Sequence, residues 1–406
     1  MNAPYLLDWL NLLARWAHLI AGISWIGASF YFVWLDDSLT QPEDDADVRR
    51  GMSGELWAVH GGGFYHNRKY PTGPRVAPLT HDLHWFKWEA YATWITGMAM
   101  LAIVYWAGAA AFTIDPGVLD LSAGAAITIS IASLVISWLV YDGLCRLLGS
   151  RPVVLWIAIA AFLLFADWAL FHVFAGRAAY IHVGAIVGTI MVANVFFVVI
   201  PGQKRMLAQI RAGQEPDPRP GRLGKMRSVH NTYLTLPVLF IMISIHYPMT
   251  YGTPNGWIVL AVISAAGVLV RRFFVLSHKR RYSIGLLLAA AVLLAATALL
   301  AGSVTAPAPR ARRVVLHVRP QVRYAQVAPI VARRCAVCHA AEPTQPGYSA
   351  PPQGVLLDTP AHVRANAQRI EQQAVATHAM PLGNVTHMTD AERATLGAWI
   401  ASGANI

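Results

Sequence analysis

The chain alternates between long apolar runs and short polar connections. Apolar stretches of roughly 20 residues, the length a helix needs to cross a bilayer, begin at about Trp9, Trp88, Leu121, Val153, Tyr180, Tyr233, Gly256 and Ile284. The last ends near Ala301. They are too long and too continuous for amphipathic surface helices, so they predict eight spans. The first has no basic region ahead of it and no small-residue cleavage site after it. It therefore reads as a retained span, not a signal peptide. Beyond Ala301 the pattern changes. Residues 303–320, rich in Pro, Ala and Arg, read as a linker, and 321–406 have the composition of a soluble module. Within that module a helix is predicted over Asp390 to Ser402, with Thr389 as N-cap and Glu392 three residues on. The predicted fold class is all-α: a transmembrane bundle of eight helices over 1–302, then a small helical module.

Composition and charge place this bundle in a membrane and orient it. Hydrophobic residues make up 56% of the 406 and charged residues 13%, against about 25% charged in soluble domains. The net charge of +11 would suggest nucleic acid in a soluble chain, but its distribution gives another meaning. Connections 35–87, 142–152, 202–230 and 271–283 hold 20 Lys or Arg, whereas 108–120, 172–179 and 247–256 hold one, Arg177. Positive-inside bias makes the basic set cytoplasmic. Both termini and the module then lie on the outer side of a bacterial inner membrane. The lipid bilayer is the implied partner, and nucleic acid is not.

Among three cysteines, two form Cys335-Ala-Val-Cys338-His339, the C-x-x-C-H of covalent c-type haem attachment. One helical turn separates two thiols that add to haem vinyl groups, and the next residue supplies an imidazole to iron. No second C-x-x-C completes a zinc site, and the tail lacks the α/β pattern of a thioredoxin-like pair. One covalent haem c is expected, with Cys335 and Cys338 as thioether residues and His339 as an axial ligand. Met380, in Ala379-Met380-Pro381-Leu382-Gly383, is the preferred second axial ligand. Met388, His378 and His387 rank below it. The module thus reads as a small class I-like cytochrome c domain.

Ten of the 15 histidines precede residue 303, and ionisable groups within spans are costly enough to mark sites or partners. His18 and His182, toward the outer side, are candidate ligands of a haem b held between helices. Arg15 is the candidate partner of a propionate, or else of Asp167. The simpler reading of each histidine is an interhelical hydrogen bond. On the cytoplasmic side, the segment from Glu55 through Gly61-Gly62-Gly63 to His66 is followed by Arg68, Lys69, Arg75, His81, His84 and Lys87. Consecutive glycines can expose N–H groups as an anion nest, with aromatic and basic side chains around it. The simpler reading is an interfacial loop obeying the charge rule.

Three segments together resemble one family: Arg15-Trp16-Ala17-His18-Leu19-Ile20-Ala21-Gly22-Ile23-Ser24-Trp25-Ile26-Gly27, Trp57 to Tyr65, and Met380-Pro381-Leu382-Gly383-Asn384-Val385-Thr386 to Trp399. The family is the bacterial membrane-bound urate oxidases, or urate hydroxylases, that carry a C-terminal cytochrome c domain. The resemblance runs along nearly the whole chain. It implies oxidation of urate to 5-hydroxyisourate in purine catabolism. Electrons would leave through the cytochrome to a respiratory electron acceptor or a soluble cytochrome c. The first-span motif also resembles membrane protoporphyrinogen oxidases that bind b haem, which favours His18. No family motif fixes the urate ligands. Urate is a flat anion, so the cytoplasmic loop offers one site, with His60 or His84 as base and Lys69, Arg68 or Lys87 holding charge. The outer half near His18 and His172 offers another. The alternative functions are a cytochrome c-linked dehydrogenase of quinol or porphyrinogen, and a membrane-anchored electron carrier.

Overall fold

A computed structural model describes residues 3–74, 79, 82–253, 255–305, 322–346, 348 and 350–406. Most of the linker, and with it Arg75 and His81, lies outside the described residues. The first long helix, α1 (Ala3–Ser38), leads into a short α2 (Asp45–Arg49), whose first turn is capped by Asp44 Oδ1 accepting from Ala46 N at 2.7 Å. The helices that follow are α3 (Trp88–Met100), α4 (Ala109–Phe112), α5 (Ala123–Leu148), α6 (Pro152–Phe171), α7 (Gly176–Ala193), α8 (Ile200–Arg211), α9 (Arg219–Ser244), α10 (Pro248–Tyr251), α11 (Gly256–His278) and α12 (Ile284–Thr305). Two wider π-helical turns interrupt this sequence. Leu101–Trp106 extends α3, and Asn194–Val199 joins α7 to α8.

Among the described residues, five helices are long and apolar enough to cross a membrane: Trp9–Ser38, Ala123–Leu148, Pro152–Phe171, Gly176–Arg211 and Gly256–His278. The other three expected spans fall on α3 with its π-turn, α9 and α12. Helix α9 starts 14 residues before the apolar stretch that predicts it. Nothing breaks the helix over the polar residues 219–232, and Pro220 sits in the first turn, where a missing N–H costs nothing. Helix α7 is the most enclosed and packs against α3, α5, α6, α9 and α11. Its neighbours bury Tyr105, Tyr141, Leu155, Phe174, Tyr180 and Ile186 in one continuous core.

The fold departs from the all-α expectation in the connection 35–87. Strands β1 (Gly54–His60) and β2 (Gly63–Lys69) form an antiparallel hairpin, with Trp57 opposite His66 and Val59 opposite Phe64. Gly61 and Gly62 both take positive φ, +57° and +82°, as a two-residue hairpin turn requires. The glycines therefore close a turn and do not make a nest.

The C-terminal residues build a second core. Helices α13 (Tyr324–Arg334), α14 (Pro360–Ala365), α15 (Ala367–Ile370) and α16 (Asp390–Ala401) gather Val327, Val331, Leu357, Val363, Leu396 and Trp399. Thr389 and Glu392 form the reciprocal cap that begins α16. Arg334 fastens α13 to α16 through two Nε contacts of 3.1 Å to the Glu392 carboxylate.

Candidate functional site

The Cys335–His339 segment forms the turn after α13. Both Cys338 N (3.1 Å) and His339 N (3.0 Å) donate to the Cys335 carbonyl, so one turn separates the sulfurs. Cys335, Cys338 and Cys145 are free thiols. Burial pushes the Cys335 thiol up to about 12 and raises Cys338 as well, keeping both protonated. His339 Nδ1 donates to the Val355 carbonyl at 2.9 Å, which leaves Nε2 for another partner. Met380 lies half-buried at the edge of the module core, whereas Met388 is buried inside it. Arg393, itself buried, donates to the Met380 carbonyl at 2.6 Å and also to the Ala374 carbonyl. Met380 N in turn donates to Gln373 O at 2.8 Å. Nothing in the sequence around Arg393 singles it out, because its partners are backbone carbonyls 13 and 19 residues away.

The module does not stand apart from the bundle. Ala379 packs against the membrane core. A Cβ placed at Gly383 would come within 2.7 Å of Ile114 O and 2.8 Å of Ala111 O, and one at Gly252 would collide with Thr377 O. Backbone thus meets backbone between the 377–383 segment and the connections around α4 and α10.

Beneath that seam lies a cluster that sequence reading only partly anticipated. Tyr105 sits in the first π-turn, buried, with its hydroxyl within reach of the Arg177 guanidinium. Arg177, in the first turn of α7, lies 5.8 Å from the Phe112 ring and interacts electrostatically with Tyr348 of the module, which in turn interacts with Cys338. Arg15 interacts with both Tyr105 and Arg177. Its hydrogen-bond partner is Asn11 Oδ1, at 3.3 Å, and not Asp167. Arg177 Nε is buried and, among the described residues, has no hydrogen-bond partner.

The two candidate haem b ligands fare differently. His182 is fully enclosed and uses both ring nitrogens: Nδ1 on Ala178 O at 2.7 Å and Nε2 on Ser130 Oγ at 2.8 Å. Both bonds are of the interhelical or helix-backbone kind that the simpler reading expects. His18 Nδ1 bridges to Thr93 O (3.0 Å) and Thr96 Oγ1 (3.1 Å) on α3, with its ring against Gly97. His18 thus bonds α3 through Nδ1 only, whereas His182 bonds through both nitrogens.

The described candidates in the connection 35–87 are not brought together. His60 is exposed beside the hairpin turn, and Lys69 is ion-paired to Asp36. His84 is exposed, edge-on to Phe86 at 4.6 Å, and Lys87 Nζ lies 5.6 Å from the Trp88 ring. Among the described residues these four share no hydrogen bond, ion pair or ring contact. Strand pairing separates them, and Glu55 takes the neighbouring His66 at 2.6 Å. Among the described residues of this connection, the four candidates thus lie apart.

A different polar network joins α5, the second π-turn and α9. Arg227, 1% exposed, donates to Asp142 Oδ1 at 2.5 Å and Asn194 Oδ1 at 3.2 Å, and lies 5.0 Å from the Tyr141 ring. Asn194 Nδ2 donates to Tyr141 Oη (3.0 Å) and Asn231 Oδ1 (2.9 Å), and Tyr141 Oη pairs with His230 Nδ1 at 2.7 Å. A cavity of about 460 Å³ adjoins it, lined in part by Cys145, Trp156, Arg222 and His230. The signal was present: 227, 230, 231, 234 and 235 repeat at helical spacing on the buried face of α9.

A family model described as Urate oxidase N-terminal matches residues 4–302. No curated protein and no solved structure matches the chain.

Proposed function

The chain belongs to the urate oxidase N-terminal family, which makes it an oxidoreductase, and on that premise we propose that it oxidises urate at the membrane and hands the electrons to its own C-terminal module. Uric acid plus water gives 5-hydroxyisourate, two electrons and two protons, so the enzyme needs an electron outlet as well as a binding site. The docking of the 377–383 segment on the bundle carries this reading. It seats the Cys335–His339 module on the connections 108–120 and 247–256, which contain no Lys or Arg. Loop charge assigns those connections to the outer side, the side on which c-type haem attachment takes place. Eight crossings with outer termini, in the cytoplasmic membrane of a bacterium, accommodate both facts.

The module's residues fit a covalent haem. Cys335 and Cys338 are free thiols one turn apart, and the Val355 carbonyl turns His339 Nε2 outward as an axial donor. Arg393 holds the backbone of Met380, the proposed second axial residue. Bound there, a His–Met haem supplies a one-electron acceptor of raised potential. The next partner is a respiratory electron acceptor or a soluble cytochrome c. Membranes containing the full-length holoprotein should show the c-haem absorbance change to its reduced form on addition of urate. Reduction by a quinol but not by urate would assign the protein to quinol oxidation instead.

A further inference from the structure

A urate oxidase must hold a flat anion, and the bundle offers two places with the right residue types. The cytoplasmic cavity has Trp156, His230 and Arg222. It lies far from the module: Cys145 on its wall and Ser130, which bonds His182, are 15 residues apart on α5, about 22 Å at 1.5 Å per residue. Ser130 is still on the bundle side of the docking seam. The outer cluster is adjacent to the module, since Arg177 interacts with both Tyr105 of the bundle and Tyr348 beside Cys338.

The outer cluster also has uncompensated charge. Arg15 and Arg177 interact with each other. Among the described residues neither lies within ion-pair distance of a carboxylate, in contrast to Arg227 with Asp142 or Arg334 with Glu392. Two like charges held together in the outer half of a membrane bundle are unfavourable unless an anion joins them. The buried, unpartnered Arg177 Nε is a donor awaiting an acceptor. Helix α7 adds the positive end of its dipole at the same point, because Arg177 is its second residue. Aromatic surface lies at hand: Phe112 and Tyr105 pack edge to face, 6.5 Å between centroids. The frame is fixed, with Thr113 Oγ1 donating to Tyr105 O at 2.5 Å and Ala175 N to Thr113 O at 3.0 Å.

We infer that Arg15 and Arg177, beside Tyr105 and Phe112, bind the urate anion at the outer end of the bundle, below the seam where the module docks. This rests on the urate reading above and assigns its binding site. A guanidinium fork matches the adjacent oxygen and nitrogen acceptors along the edge of a planar purine anion. The site places the substrate next to the electron outlet, so no charge has to travel the length of the helices.

The test uses the full-length holoprotein with Arg177→Gln, Arg15→Gln and the charge-conserving Arg177→Lys. Proper haem incorporation, read from absorbance, certifies folding, and Arg177→Lys serves if Arg177→Gln fails to accumulate. One charge-assisted hydrogen bond contributes about 1.5–3 kcal/mol, so each Gln variant should raise the urate KM by roughly 10- to 100-fold, with Arg177→Lys intermediate. The haem midpoint potential and its reduction by ascorbate should stay as in the wild type. An unchanged KM with a shifted potential would mean that the arginines serve the haem carboxylates, which overturns the assignment, as would no change in either. If wild-type protein fails to transfer electrons from urate, the oxidase reading falls by itself. Calorimetric titration with urate then still decides the site: binding lost in Arg177→Gln supports it, and equal or absent binding refutes it.

Discussion

Replacing Gly383 by alanine should uncouple the module from the bundle without removing the proposed haem. Gly383 has φ +57°, and an added Cβ would lie 2.7 Å and 2.8 Å from the carbonyl oxygens of Ile114 and Ala111. The left-handed conformation costs a non-glycine residue about 1–2 kcal/mol. The two overlaps come in addition, and both are with backbone, which cannot rotate away. A loss of about 1.4 kcal/mol already shifts a docking equilibrium tenfold. The combined effect should therefore lower the docked population by at least about that factor. Stopped-flow mixing of holoprotein with urate, followed at the haem, should show reduction slowed accordingly, while ascorbate reduces the variant at the wild-type rate. Gly252→Ala approaches the same seam from the membrane side, where the Cβ would strike Thr377 O, and should act alike. Gly354→Ala is the control, because Gly354 also has positive φ, +67°, but nothing lies within 4 Å of its Cβ. Urate-driven reduction unchanged in both seam variants, or slowed equally in Gly354→Ala, would refute the docking route.

Arg227→Met should destabilise the bundle by about 3–5 kcal/mol, the usual cost of leaving one partner of a buried ion pair alone. It strands Asp142 and removes a donor from Asn194. Denaturant titration of the purified protein checks this, and a loss below 1 kcal/mol would mean that the network is dispensable. Before haem attachment, Cys335 should resist alkylation at pH 8 far more than Cys338, since burial pushes its thiol to about 12; mass spectrometry reading equal labelling would contradict this. The Glu55 carboxyl is held below the usual carboxylate range by the Glu43 backbone N–H first and by His66 second. A depressed carboxylate stabilises the fold above its unfolded value near 4.3, and that contribution is lost as pH falls through the lower folded value. Hydrogen exchange of residues 54–69 should accordingly stay slow from neutral pH down to that range and rise below it. Glu55→Gln should abolish the pH dependence.

The membrane pattern was legible because apolar run length alone decides whether a helix can span, and the polar face of the module announced itself through one contiguous motif. What the sequence could not display is which distant polar residues converge. Tyr141 and His230 are 89 residues apart, and His182 and Ser130 are 52 apart; each pair exists because α5, α7 and α9 pack together. The hairpin was a misjudged alternative. Gly61 and Gly62 permit either a nest or a turn, and the facing pairs Trp57–His66 and Val59–Phe64 favour the turn. Arg227 was hidden for a third reason, because counting it as a loop charge assumed that a basic residue outside an apolar run stays in water.

Arg177 is the opposite case, and it ties charge counting to mechanism. It is the one basic residue in the three sparsely charged connections, so the positive-inside rule gives no reason for its presence. A cation near a second arginine and, among the described residues, out of ion-pair reach of a carboxylate adds nothing to topology and opposes burial. The geometry supplies what topology lacks. Arg177 stands in the first turn of the most enclosed helix, under the loop that seats the Cys335–His339 module, with Phe112 and Tyr105 as flat neighbours. A residue that is costly for the fold and placed where an anionic substrate would meet its electron outlet is best understood as serving the substrate. That is why the Arg177 variants should change the urate KM while leaving haem attachment intact.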